Sequence, residues 1–258
     1  MNSTSLQGRI ALVTGGSRGM GRAITIKLAQ LGATVAFSFR RDKDSADEVV
    51  AEIAAFGGRA LSFSADLRAP GSGTDLARRV VDELGGIGIL VSNAGMASRG
   101  NSATESSRSE YEDMLQMHAF SALEMAGVVL PWMREAGSGS IIVVTSNVTV
   151  SLPANTAPYA VAKTAAETLV RVLAMEERHN GIRVNALAPG LVATDMGDRL
   201  VRANVETGLD SLDDQYPFGR VCRPEDIANA VAFLAEPDSY VTGQRLIVDG
   251  GGPAVPLY

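Results

Sequence analysis

The sequence predicts an α/β fold, a single doubly wound domain whose seven-stranded, mostly parallel sheet carries helices on both faces. Three observations point there. Short apolar, β-rich runs alternate with longer stretches of helical periodicity along the whole chain. The runs are mostly continuous rather than alternating, as in strands buried on both faces. The length of 258 residues, with 46% hydrophobic and 20% charged residues, suits one large domain with a sizeable core.

The expected strands are Ile10–Val13, Thr34–Phe39, Ala60–Ser64, Ile87–Val91, Ser140–Thr145, Ile182–Leu187 and Arg245–Val248. Between the first two, Ala23–Leu31 has apolar residues at helical spacing and stops at Gly32, a C-terminal cap. Ser45–Phe56 and Thr74–Leu84 read the same way. Two long helices, about 110–134 and 159–178, are richer in apolar residues than a one-sided surface helix needs, so a second face is expected in a subunit interface. Pro224 opens the last helix, where Ile227, Ala230, Val231 and Leu234 share a face. The resulting order of strand and helix implies right-handed crossovers, with ligands at the carboxyl ends of the strands.

Composition removes several function classes. The net charge of -6 is interspersed, with no basic arm or stripe for nucleic acid. Cys222 is the one cysteine, so no intramolecular disulfide forms, which suits a reducing compartment. His118 and His179 lie far apart, and no Cys/His cluster has metal-ligand spacing, so no metal is expected. Met1 to Gly8 lacks a signal-peptide layout, and no apolar run approaches the roughly 18 residues of a membrane helix. The expectation is a cytoplasmic protein without a membrane or nucleic-acid partner.

The first strand ends in Thr14-Gly15-Gly16-Ser17-Arg18-Gly19-Met20-Gly21 and runs straight into a helix. Glycines there allow a tight turn, close backbone approach to a phosphate and close helix-on-strand packing, while the helix N-terminus offers free N–H groups to an anion. This is the phosphate-binding turn of a Rossmann-type domain. Its spacing, Thr-Gly-x-x-x-Gly-x-Gly, resembles the classical short-chain dehydrogenase/reductase family. Further matches cover almost the whole chain: Asp66 after the third strand, Asn93-Ala94-Gly95 after the fourth, Ser146 after the fifth, Tyr159-Ala160-Val161-Ala162-Lys163 in the next helix, and Asn185 to Gly190 with Thr194 beyond. Val241-Thr242-Gly243-Gln244 and Asp249-Gly250-Gly251 close the series. The 3-oxoacyl-(acyl-carrier-protein) reductases are similar. The resemblance implies a dinucleotide held by Gly15, Ser17, Arg18, Gly19, Met20, Gly21, Asp66, Leu67, Asn93, Ala94, Gly95, Tyr159, Lys163, Pro189, Gly190, Val192 and Thr194. It also implies a homotetramer or dimer built on the two long helices.

An acidic residue ending the second strand would hold the ribose 2′-hydroxyl of NAD and repel a 2′-phosphate. Here that place is taken by Phe39 and Arg40, with Arg41 next, and Arg18 in the turn aims at the same pocket. Guanidinium groups pair bidentately with phosphate, so NADP(H) is expected, against the plainer reading of Arg40 and Arg41 as solvated surface charges. Tyr159 and Lys163 lie four apart on one helix face. A phenol has a pKa of about 10, and a nearby ammonium lowers it. A hydride reaches a carbonyl carbon, Tyr159 gives the proton, Ser146 orients the oxygen and Lys163 tunes Tyr159; in reverse a secondary alcohol is oxidised.

Classical members carry an asparagine in the long helix after the fourth strand that helps relay protons, and His118 stands there. Two readings stay open: His118 replaces it in the relay, or it is a core histidine satisfied by backbone. The expected substrate lid runs from about Leu191 to Phe218, and Met96, Ala97, Val148, Leu152, Met196 and Leu200 are expected to line a partly apolar pocket for a medium-sized carbonyl compound. The serine-rich stretch Ser98–Glu110 is expected as an exposed rim. Reduction of 3-oxoacyl thioesters and a non-catalytic NADP(H) sensor are the alternative functions.

Overall fold

In the computed structural model, which describes residues 5–202, 208–216 and 218–252, seven strands form one sheet in the order β3-β2-β1-β4-β5-β6-β7, all neighbours parallel. They are β1 (Ile10–Val13), β2 (Thr34–Phe39), β3 (Arg59–Ser64), β4 (Ile89–Ser92), β5 (Gly139–Val144), β6 (Ile182–Pro189) and β7 (Arg245–Val248). The helices are α1 (Gly19–Gln30), α2 (Lys43–Ala55), α3 (Ser72–Leu84), α4 (Arg108–Leu115), α5 (Ser121–Glu135), α6 (Val148–Ser151), α7 (Ala157–Glu177), α8 (Asp195–Arg202) and α9 (Pro224–Ala235). The expected mostly parallel sheet is wholly parallel.

The continuous apolar runs follow from two cores. Ala11, Val13, Val35, Phe37, Ile89, Val91, Ile142 and Val144 face a cluster with α1, α2 and α9. Their alternates Leu12, Ala36, Leu90, Ile141 and Val143 face α3, α5 and α7. Because side chains point to opposite faces with period two, a strand covered on both sides must be apolar at every position. The sheet order reverses between β1 and β4, so the loops after these two strands diverge and leave a crevice at their carboxyl ends.

Local chemistry sets the helix ends. Asp42 caps α2, its carboxylate accepting from the Ser45 N–H at 3.0 Å. Pro224 begins α9, and the Asp226 carboxylate accepts from the Arg223 N–H at 2.8 Å. Gly32, expected as a helix stop, adopts φ +93.

The expected helix at about 110–134 is interrupted. A π-helical segment, Gln116–Phe120, separates α4 from α5. Hydrophobic periodicity averages over such a one-residue widening, so the sequence pattern does not show it. The segment buries His118. Helix starts were expected late for α1, α2 and α3, because the first turn of each is polar or glycine-rich and lacks apolar periodicity. Glu110, placed by the sequence at the end of an exposed rim, is buried, its carboxylate accepting from the Arg99 N–H at 2.7 Å.

Candidate active site

The turns after β1 and β4 are clipped together. The Thr14 hydroxyl oxygen accepts from the N–H groups of Asn93 and Ala94, each at 2.9 Å, and the Asn93 side-chain amide donates to the Thr14 carbonyl at 2.9 Å. Within the first turn, Gly15 has φ +68 and its N–H donates to the Ser38 hydroxyl at 3.1 Å. A Cβ on Gly21 would overlap the Gly15 carbonyl oxygen and lie 2.6 Å from Asn93 Nδ2. The start of α1 is thereby drawn against the turn as closely as a backbone permits, leaving its first N–H groups facing the crevice. Arg18 caps α1 with extended backbone and an exposed side chain, Ser17 beside it is buried, and the first turn of α1 has no acidic residue. Asn93 Oδ1 is buried without a partner. These features suit a dinucleotide: an anion cradle with an unmet acceptor beside it.

At the end of β2, Arg40 and Arg41 are exposed, and among the described residues neither they nor Arg18 joins an ion pair. The next carboxylate in sequence, Asp42, is occupied as the α2 cap, and its bonds from Ser45, helped by the charge of Arg18, hold its pKa below the usual range. Asp66 accepts a two-pronged bond from Arg68, Nε at 2.8 Å and Nη2, which with the Arg40 charge lowers its pKa to about 2. Leu67 is buried beneath it.

Ser146 follows β5, and α7 brings Tyr159 and Lys163 to it. The Ser146 hydroxyl acts on the Tyr159 hydroxyl, favouring its ionised form, and Ser146 Oγ accepts from the Val148 N–H at 3.3 Å. Lys163 is buried with its Nζ 5.5 Å from the Tyr159 ring centre, donating to the Val144 carbonyl at 2.7 Å. Burial raises the Tyr159 pKa to about 12 against the lowering effect of the Ser146 side chain, and burial lowers Lys163 to about 7 against the pull of Glu167. His118 meets the Tyr159 ring edge-on, centroids 5.2 Å apart at 86°. Its Nε2 lies 2.9 Å from the Met96 carbonyl, which can only accept, so Nε2 carries the proton. Nδ1 is then a buried acceptor with no partner. Burial, then the Lys163 charge, push the His118 pKa well down and keep the ring neutral. The structure thus brings together Ser146, Tyr159, Lys163 and His118 at the crevice.

With this geometry in place, comparison with known proteins decides the family. The profile described as Enoyl-(Acyl carrier protein) reductase matches residues 15–252. A 3-oxoacyl-(acyl-carrier-protein) reductase of Staphylococcus epidermidis is 35% identical over 93% of this chain and 97% of its own. The chain belongs to the short-chain dehydrogenase/reductase family. Members are oxidoreductases acting on CH–OH and C=O groups. Among solved structures, the L-sorbose reductase from Gluconobacter frateurii, complexed with NADPH and L-sorbose, superposes with a TM-score of 0.88 at 29% identity over 98% of both chains. A 7α-hydroxysteroid dehydrogenase complexed with NADH and 7-oxo glycochenodeoxycholic acid gives 0.88 at 33% identity over 99% of both.

The remaining sequence-expected residues of this short-chain dehydrogenase/reductase fall around the same crevice. Pro189 ends β6, and the Gly190 N–H donates to the Val248 carbonyl at 3.0 Å. Val192 forms a bridge with Cys222, and the Thr194 hydroxyl accepts from the Gly197 N–H at 3.1 Å to start α8. A Cβ on Gly19 would sit 3.3 Å from Thr194, so the segment after β6 passes close to the glycine turn. Gly95 is closer still to His118, where a Cβ would lie 2.9 Å from Cε1. Of the expected pocket residues, Ala97, Leu152, Met196 and Leu200 are exposed, Met96 is half-buried against the core and Val148 is buried in α6. Leu152 has φ +44, uncommon for a branched side chain. Lid positions 203–207 and 217 lie outside the described residues. A cavity of about 180 Å³ is lined by Tyr216, Arg220, Cys222 and Val248, among others.

Sequence reasoning missed Glu167, Thr149 and Arg245, which form a partly buried network behind Ser146. The signal was present: Glu167 lies four residues beyond Lys163, on the same face as Tyr159 and Lys163. Among the described residues no group of three His, Cys, Asp or Glu side chains could hold a metal, and no helix is long and apolar enough to cross a membrane.

Proposed function

We propose that this enzyme is an NADP(H)-dependent oxidoreductase that interconverts a ketone and a secondary alcohol, with Tyr159 as the proton donor and acceptor. One observation carries the reading: Lys163 Nζ sits 5.5 Å from the centre of the buried Tyr159 ring, whose hydroxyl feels the Ser146 side chain. NADPH, when bound, supplies the hydride. Ser146 and Tyr159 hold the substrate oxygen, and as negative charge gathers there Tyr159 gives up its proton. Raised to about 12, the phenol stays protonated at neutral pH and serves as an acid. Lys163 in its cationic form stabilises the phenolate left behind. His118 is neutral and offers Nδ1 as an acceptor, so its role is to hold a water or the ring geometry, not to carry a positive charge.

The 2′-phosphate is assigned to Arg40, Arg41 and Arg18. Relatives bind either cofactor form, so the choice rests on these guanidiniums and on Asp42 being engaged as a cap. The chain acts as a single dinucleotide-binding and catalytic domain with residues 191–218 as the lid. Exposed Val150, Leu152, Met196 and Leu200 at the same end of the sheet favour a largely apolar, medium-sized ketone over a sugar. Exposed apolar residues on the long helices, Phe120, Leu123, Val172 and Met175, support self-association there, as a dimer or tetramer in the cytoplasm.

The test is NADPH oxidation against cyclic ketones, steroids, diketones, β-keto esters, sugars and acyl thioesters. Turnover is expected first on apolar cyclic ketones. Thioester reduction far above the rest would move the function to acyl chains, and stoichiometric NADPH binding without turnover on any carbonyl would make the protein a sensor.

A further inference from the structure

Arg245 opens β7, yet its side chain reaches back beneath Ser146. Its Nε donates to Glu167 Oε1 at 2.8 Å, and its Nη2 donates to the Ser146 carbonyl at 3.2 Å and to the Thr149 hydroxyl at 3.0 Å. Thr149 in turn donates to Glu167 Oε1 at 2.9 Å. Both charged side chains are enclosed, at 15% and 7% exposure. Four residues thereby tie together β7, α7 and the β5–α6 connection, the elements whose relative placement sets the Ser146-to-Tyr159 distance. Burying an ion pair is costly and gives little stability compared with apolar packing, so its position against the backbone of Ser146 calls for another explanation.

We propose that Glu167 and Arg245 are positioning residues for the reaction, the guanidinium fixing the Ser146 backbone and the carboxylate fixing the guanidinium while facing Lys163. This rests on the Ser146–Tyr159–Lys163 reading. The carboxylate is one of several groups around Lys163: Tyr159 and Glu167 on α7, His118 on the π-helical segment and the Val144 carbonyl on β5, with Arg245 behind Glu167. Glu167 therefore favours the Lys163 ammonium, and Arg245 tempers that effect.

The test compares Glu167→Gln, Arg245→Gln and the double variant as full-length enzyme, following kcat for ketone reduction and its pH dependence. Losing the charge-assisted bond to Ser146 is expected to lower kcat about tenfold in Arg245→Gln and in the double variant, with KM for NADPH within about twofold of the parent. Removing the carboxylate disfavours the Lys163 ammonium, so the fall of ketone reduction with rising pH moves acid in Glu167→Gln. Removing the guanidinium moves it alkaline, each by about half a pH unit, and the double variant returns near the parent position. A purely structural pair would lower thermal stability without moving the two profiles in opposite directions. The neutral double variant leaves no unpaired buried charge and keeps the test available where a single variant fails to fold. Should none of the three fold, Thr149→Val, which removes only a hydroxyl, is expected to cut kcat about threefold with an unmoved pH profile. Parent-like kcat in the double variant, or in Thr149→Val where that variant carries the test, overturns the proposal, as do pH profiles that shift together. A native enzyme that reduces no ketone at all overturns the underlying reaction and this pair with it.

Discussion

The two ends of the crevice are built on different principles. At the nucleotide end, from the glycine turn to Asn93-Ala94-Gly95, backbone touches backbone. Gly21 leaves no room for a Cβ, Gly15 holds a positive φ, Thr14 takes three hydrogen bonds at 2.9 Å from Asn93 and Ala94, and the strands beneath are buried on both faces. At the lid end, α8 rests on a small cluster of Val201, Leu209, Leu212, Tyr216 and Val221, and its side chains Met196 and Leu200 stand exposed. A cofactor shared by a whole family rewards a fixed cradle, whereas a substrate that differs between members is met by side chains on a loosely packed segment. The nucleotide end should therefore be brittle to substitution and the lid end tolerant.

The sharpest break is expected at Gly21→Ala. The added methyl overlaps the Gly15 carbonyl, so the turn must open, costing about 1–3 kcal/mol of stability and abolishing detectable NADPH binding by fluorescence titration. Binding within a few-fold of the parent would show that the cradle is not rigid.

Between the two ends, Lys163 provides a pH signature. Its pKa is depressed to about 7, so it is cationic below that value and loses its charge as pH rises through it. Because the cation stabilises the phenolate left by proton donation, kcat/KM for ketone reduction is expected to fall above pH about 7, by as much as tenfold per pH unit for a single proton. A profile flat to pH 9 contradicts this role.

Arg40→Ala is expected to cost about tenfold in kcat/KM with NADPH and almost nothing with NADH, one charge-assisted bond to phosphate being lost. Equal losses with both cofactors would place Arg40 outside the 2′-phosphate site.

The smallest effect is expected at the rim. Leu152→Gly relieves a left-handed conformation worth roughly 1 kcal/mol, offset in part by glycine's greater chain entropy, so Tm should hold or rise slightly. The lost apolar contact should raise substrate KM about threefold without touching NADPH affinity. A fall in Tm would mean that Leu152 packs more than its exposure suggests.

The same contrast explains what the sequence disclosed. Strands read cleanly because double burial forces an apolar residue at every position, as in β5 with Ile141 to Val144. The glycine turn read cleanly because backbone contact leaves few residue choices. The π-helical segment around His118 did not, since a widened turn leaves apolar periodicity nearly intact. Glu167 and Arg245 did not either: they are 78 residues apart, and a charged residue on a helix or at a strand start reads as a surface group until tertiary structure encloses it.

The most direct measurement uses Tyr159→Phe. The variant keeps the ring that packs against His118 and loses only the hydroxyl. NADPH affinity and Tm are expected to stay near the parent values, while turnover on the best ketone falls by a factor of about 10³, within the range general acid catalysis supplies. Turnover close to the parent's, with the cofactor still bound, would mean that the proton comes from another group and that the Ser146–Tyr159–Lys163 cluster is not where the chemistry happens.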